Sequence, residues 1–167
     1  ARRASQTTVC KGQLRQLALM LEIYTSDNSD YFPPAADYGV TWDDQIVNYL
    51  SAAEINDNPL LNTVTKAAND QLFKCPSDRV SRNEYITRTY SMNSGTGDWN
   101  VTNESVLKGI GSEGGVSNQH GVFSDTSAII LLAERYSSFN RRGGQGCASM
   151  GNANAHLGTT VHHKALY

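Results

Sequence analysis

Apolar residues fall at Cys10, Leu14, Leu17, Leu21 and Tyr24, at steps of four, three, four and three. That spacing puts them on one face of an α-helix and predicts a helix over residues 4–27. Val9, Ala18 and Met20 widen the stripe, while Lys11, Gln13, Arg15 and Glu22 supply a wet face. Gly12 interrupts the run at a cost of about 1 kcal/mol relative to alanine. Such a stripe packs first on the chain's own core. The start of the helix is unusual, because Arg2 and Arg3 lie where the helix dipole disfavours cations. Two readings stand: Ser5 caps a helix that begins there, or the helix continues upstream of Ala1.

Polar and helix-breaking residues then crowd together from Asp27 to Gly39, with Pro33 and Pro34 among them, and predict a loop. Asp27, Asn28 and Asp30 lack the alternating ligand order and sixth-position glycine of a calcium loop, so a solvated helix end is expected. A second short helix is expected over residues 41–50. Thr41 is its N-cap, Asp43 and Asp44 lie in its first turn, and Trp42, Ile46, Tyr49 and Leu50 fall on one side. Pro59 opens a short turn containing Leu60, Leu61 and Val64.

Residues 72–76 read as a short strand ended by Pro76, and Cys75, Pro76, Ser77 and Asp78 as a turn. Residues 86–92 alternate weakly. Ile86, Arg88, Tyr90 and Met92 lie on one side and Thr87, Thr89 and Ser91 on the other, with Arg88 breaking the pattern. Residues 93–118 are rich in glycine, asparagine and serine and predict a long surface excursion anchored by Val101, Val106, Leu107 and Ile110. Two glycosylation sequons begin at Asn100 and Asn103, a pattern short enough to arise by chance. Residues 121–123 predict a short strand, residues 128–133 a central buried strand followed by Glu134 and Arg135, and residues 159–161 the start of another. The glycine-rich stretch between Arg141 and Gly158 lacks the order and following helix of a phosphate cradle.

At 167 residues the chain predicts one domain, a helix over 1–27 and a loop-rich α/β part over 28–167. A net charge of −2 without a basic run argues against nucleic acid. No window approaches 18 apolar residues, so no membrane span lies within these residues, and no signal peptide does either.

Three cysteines permit at most one internal disulfide. Cys75 with Cys147 is the favoured pair, Cys10 reading as a small buried hydrophobe. No CxxC spacing supports a zinc ribbon. His120, His156, His162 and His163 can be grouped with Glu134 and Asp125 on paper, but none is spaced as in a metalloprotease helix. His162 and His163, adjacent on a strand, would face opposite ways. Without a GxSxG elbow no nucleophile is singled out. No catalytic residue, metal or cofactor is therefore expected.

Several segments together resemble the bacterial prepilin-like proteins of the type IV pilin and type II secretion pseudopilin group. They are the first helix followed by Tyr31, Phe32 and Pro33; an F-x-C-P-S-D element at Phe73, Cys75, Pro76, Ser77 and Asp78; a Y-x-M-N element at Tyr90, Met92 and Asn93; and a strand ending in Glu134. The nearest subfamily carries a C-terminal His, nine residues and Asp-Gly, which His162 or His163 would open, with the Asp-Gly lying beyond Tyr167. The resemblance implies an α+β pilin-like fold, a long N-terminal helix on an antiparallel sheet with long loops.

It also implies an exported, periplasmic or cell-surface protein held at the inner membrane by an apolar segment upstream of Ala1. Such a subunit would work in pilus or pseudopilus assembly, packing against itself or other pilin-like subunits through the face of Cys10, Leu14, Leu17, Leu21 and Tyr24. Calcium, which major pseudopilins bind in a C-terminal loop, is not expected, because their motif is missing. Two other readings compete. One is an exported glycan- or solute-binding module using Trp99 with Tyr38 or Trp42 as stacking platforms, and the other a metal-dependent hydrolase using the histidines.

Overall fold

The computed structural model describes residues 2–49, 70–81, 86–94, 109–123, 130–142 and 149–150. Helix α1 runs over Arg2–Asp27, 26 residues, or about 39 Å at 1.5 Å per residue. Its expected stripe is its buried face: Cys10, Leu17 and Leu21 are fully buried and Leu14 nearly so, with Tyr24 packed at the margin. The helix ends where the polar loop begins. Ser29 and Asp30 adopt positive φ of 55° and 68°, and the Asp30 N–H returns 2.9 Å to the Thr25 carbonyl. This left-handed closure satisfies a carbonyl the helix would otherwise leave open.

Beyond α1, strands β1 (Ala36–Asp37) and β2 (Val40–Thr41) form an antiparallel hairpin. Its two central residues, Tyr38 and Gly39, have φ of 44° and 93°, the positive pair that a tight two-residue hairpin turn requires. Helix α2 follows at Trp42–Ile46, continued by a 3-10 turn at Val47–Tyr49. As expected, Thr41 opens it: its N–H donates to Asp44 Oδ2 at 3.0 Å, and its hydroxyl oxygen stands 2.8 Å from the same oxygen. Trp42 and Ile46 are fully buried. Leu50, the Pro59 turn and residues 159–161 lie outside the described residues.

Several expectations are corrected. Residues 72–76 do not form a strand; helix α3 spans Asp70–Phe73. Leu72, Phe73 and Cys75 are all buried, and a strand would send the adjacent Leu72 and Phe73 to opposite faces. A single helical turn keeps both inward. Gln13, expected on the wet face of α1, is half-buried and donates to the Lys74 carbonyl at 3.0 Å. The turn over Cys75 to Asp78 is present, closed by the Asp78 N–H on the Cys75 carbonyl at 2.9 Å. Residues 120–122 are a 3-10 turn, not a strand.

Among the described residues the apolar run before Glu134 supplies an edge strand rather than a central one. Strand β4 covers only Leu132–Glu134 and lies at the edge of a three-stranded sheet, where β3 (Tyr90–Asn93) is central and β5 (Ser149–Met150) is the other edge. β3 pairs antiparallel with β4, Tyr90 opposite Glu134, and parallel with β5. Tyr90, Ser91 and Met92 are all fully buried, which is why alternation along this strand is weak. The stretch read as a surface excursion is packed at its C-terminal end. Ile110 and Ser112 are fully buried, and a Cβ on Gly111 would stand 2.6 Å from the Pro33 carbonyl oxygen and 2.9 Å from Met92 Sδ. Only glycine fits where that backbone crosses β3. Val101, Val106, Leu107 and both sequons lie outside the described residues.

Arg88, the residue that breaks the alternation, is fully buried because it has a partner. Asp43, at the start of α2, accepts from the Arg88 guanidinium, from Arg142 Nε at 2.8 Å and from the Thr41 hydroxyl at 2.7 Å. Asn140 Oδ1 takes the Arg88 Nε–H at 2.7 Å. Burial opposes ionisation of Asp43, but the two guanidiniums and the hydroxyl outweigh it and hold the carboxyl below its usual value. Asp44 moves the other way, raised by burial and by the Asp43 charge. The Arg142 guanidinium lies 3.8 Å from the Phe73 ring centroid, so this network also roofs the aromatic core.

Candidate functional site

The F-x-C-P-S-D element, the Y-x-M-N strand and Glu134 converge on one buried place beneath α1. Cys75 is bonded not to Cys147 but to Cys10, with the two Cα atoms 5.2 Å apart. The expected pairing is thus corrected. Helical periodicity cannot distinguish a thiol that packs from one that is bridged, since both face inward. Cys147 lies outside the described residues. The bridge joins residues 65 apart and staples the middle of α1 to the turn that follows α3.

Glu134 sits against this bridge. One carboxylate oxygen of Glu134 and the sulfurs of Cys10 and Cys75 lie within 4.8 Å of one another. The Tyr136 hydroxyl donates to Glu134 Oε2 at 2.9 Å and stands 3.7 Å from Cys75 Sγ. Glu134 Oε1 is buried and has no hydrogen-bond partner among the described residues. Burial raises the carboxyl from 4.5 to about 7; the Tyr136 hydrogen bond opposes that rise, and the Asp78 charge adds to it. Burial together with the Glu134 charge also raises the Tyr136 and Tyr90 phenols.

The walls of the site are tied together by hydrogen bonds. The Tyr90 hydroxyl donates to Gln13 Oε1 at 2.7 Å, across from β3 to α1. The Thr89 hydroxyl donates to Asp78 Oδ2 at 2.7 Å and accepts from the Cys75 N–H at 3.1 Å. Asp78 Oδ1 takes the Val80 N–H at 3.0 Å. Phe73 and Met92 are fully buried in the core, and Pro76 and Ser77 are half-buried. Asn93 continues the sheet outward, its N–H on the Leu131 carbonyl at 3.0 Å. His162 and His163 lie outside the described residues.

Gln13 and Tyr136 belong to the site although the resemblance did not mark them. Tyr136 had a signal, lying two residues beyond Glu134 and so on the same side of an extended chain. Gln13 had none, because a glutamine next to a buried stripe reads as solvated.

A raised carboxyl makes stability depend on pH, and the sign follows from the direction. The folded chain holds the Glu134 proton more tightly than the unfolded chain, so this contribution is full below about 4.5 and is lost as pH rises through about 7. At about 1.4 kcal/mol per tenfold change in proton affinity the loss is roughly 3 kcal/mol. Glu134→Gln is therefore expected to stabilise the oxidised domain at pH 8 and to change little at pH 4. Urea midpoints at both values check this, and equal effects at both would show that Glu134 ionises normally.

The other sequence candidates do not assemble. His120 Nε2 stands 3.6 Å from Glu22 Oε2, whereas Glu134 adjoins Cys10, twelve residues and about 18 Å back along α1. His120 and Glu134 thus cannot share an ion, and His156 and Asp125 lie outside the described residues. Asp30 is engaged by the distant 3-10 turn at His120–Val122, accepting from the Gly121 N–H at 3.2 Å. Trp42 is fully buried and cannot be a stacking platform; Tyr38 is 95% exposed, and Trp99 lies outside the described residues. No helix among the described residues is long and apolar enough to cross a membrane. Comparison of the chain with protein-family models, with curated proteins and with solved structures finds no match in any of the three.

Proposed function

We propose that this chain is part of an exported pilin- or pseudopilin-like structural subunit, without catalysis, that works in type II secretion or type IV pilus-like assembly through helix packing. An upstream apolar segment would hold it at the inner membrane, with the domain in the periplasm or at the cell surface. The observation that carries the reading is the second, outward face of α1. Ser5, Val9, Gly12, Gln16, Leu19, Ile23 and Ser26 recur at steps of four and three, are all exposed, and include no charge. Val9, Leu19 and Ile23 are 46%, 61% and 39% exposed. A repeat averaging 3.5 residues is the spacing by which one helix packs along another.

This moves the assembly surface away from Cys10, Leu14, Leu17 and Leu21, which are used up in the domain's own core. The disulfide supports the same reading twice over. Such bridges persist in oxidising compartments outside the cytosol, and this one holds α1 against sideways load by tying it to the body. The pilin-like form of the fold itself rests on the resemblance together with a long N-terminal helix that packs on α2, α3 and the 3-10 turn at Val47–Tyr49 and reaches the sheet through the Gln13–Tyr90 hydrogen bond.

Leu19→Asp with Ile23→Asp, made in the full-length protein in its own host, is expected to abolish assembly while leaving the fold intact. Burying each side chain contributes about 1.5–3 kcal/mol, so association should weaken by roughly a hundredfold or more. In-cell cross-linking reads the loss, and the melting temperature of the isolated domain should not move. Assembly that survives both charges would end the helix-packing role.

A further inference from the structure

We propose that, once its disulfide is reduced, the buried cluster of Cys10, Cys75 and Glu134 holds a soft divalent cation of the zinc type, so that α1 is stapled to the body either by sulfur–sulfur bond or by metal. The three side chains come from three separate parts of the fold: the middle of α1, the turn after α3, and the end of β4. All three are buried, and their donor atoms lie within 4.8 Å of one another. Two thiolates and a carboxylate are a donor set that zinc accepts, at about 2.3 Å to sulfur and about 2.0–2.2 Å to oxygen. A tetrahedral ion at those distances holds its two sulfurs roughly 3.7 Å apart. The cysteine Cα atoms are already 5.2 Å apart, so side-chain rotation supplies most of the opening.

A second observation points to a ligand. Glu134 presents its two oxygens unequally: Oε2 takes the Tyr136 hydroxyl at 2.9 Å, while Oε1 is buried without a partner among the described residues. A buried acceptor left open is costly, and a cation would fill it. Tyr136 would then do what hydrogen-bond donors commonly do for ligating carboxylates, holding the group in one orientation. Water would complete four ligands. The reductant is external, a dithiol or a phosphine. With a phosphine, two electrons and two protons convert the bridge to the Cys10 and Cys75 thiols as the phosphine takes oxygen from water. The incoming dication then displaces both thiol protons to solvent.

The test uses the full chain with Cys147→Ala, which removes the third thiol. The protein is reduced with a phosphine, freed of it without air, and titrated with cadmium or zinc alone. The expected result is one ion per chain, a thiolate-to-cadmium ultraviolet band, and recovery of much of the melting temperature lost on reduction. The oxidised protein should show no such band. Glu134→Gln, confirmed folded by the melting of its oxidised form, should weaken binding by about tenfold or more. An absent or unsaturable band in the reduced chain would overturn the proposal. So would an affinity that Glu134→Gln leaves unchanged, since the site would then be two thiols alone.

Discussion

Asp43→Asn is expected to cost the folded domain about 3–5 kcal/mol, the largest effect of any single side-chain change in the described core. The substitution keeps the shape but removes the charge that two arginines share. Arg88 and Arg142 have side chains 0% and 1% exposed, and neither can turn to water. Taking a charge out of water costs several kcal/mol even after relaxation, and the Asp43 carboxylate accepts from both guanidiniums. Urea unfolding of the oxidised domain measures the loss, and a cost under about 1 kcal/mol would refute this account.

The same carboxyl also predicts an acid limb. Asp43 is held below its usual value in the folded state, so its contribution is present at neutral pH and is lost as pH falls through that lowered value. Asp43→Asn should flatten that limb. Replacing Asp43, Arg88 and Arg142 together by apolar residues of similar size should cost less than Asp43→Asn alone, because no charge is then stranded.

Cys10→Ser combined with Cys75→Ser is expected to cost about 4 kcal/mol, the loop-closure value for a bridge joining residues 65 apart. Both cysteines must go, because a lone Cys75 could pair with Cys147. The loss should be uneven. α1 is otherwise held by its inner stripe and by side-chain hydrogen bonds, among them those of Gln13 with the Lys74 carbonyl and Tyr90 and of Tyr24 with Gln45. Helix α1 should therefore exchange its amide hydrogens faster than β3 does. A reduced, metal-free domain that melts where the oxidised one does would show that the bridge is incidental.

These two features differ in how far they could be read from residues alone. Arg88 stood out as a charge at an inward position of an alternating segment, and that misfit is the usual mark of a buried ion pair. Its partner, 45 residues away, lay in the first turn of α2, where an aspartate is already explained by the helix dipole. Local chemistry gave Asp43 a sufficient role, and so hid its second one. Cys10 was hidden in the same way, by a stripe that accounted for it completely. For α3, the competing cue was Pro76, which ends a strand and a helical turn equally well.

From residues alone came the length of α1 and its inner face, the Thr41 cap of α2, the turn at Cys75 and the extended chain at Tyr90. Each is set by contacts within a few residues, through helical period, capping and turn chemistry, and so survives without knowledge of the rest. Tertiary structure decided the Cys10–Cys75 bridge, the burial of Glu134 against it, the Asp43 network, the edge position of β4 and the glycine crossing at Gly111. It also decided which seam of α1 stays outside. Every one of these joins parts of the chain far apart in sequence, where period and propensity are silent, and where packing and the cost of burying charge select the partner.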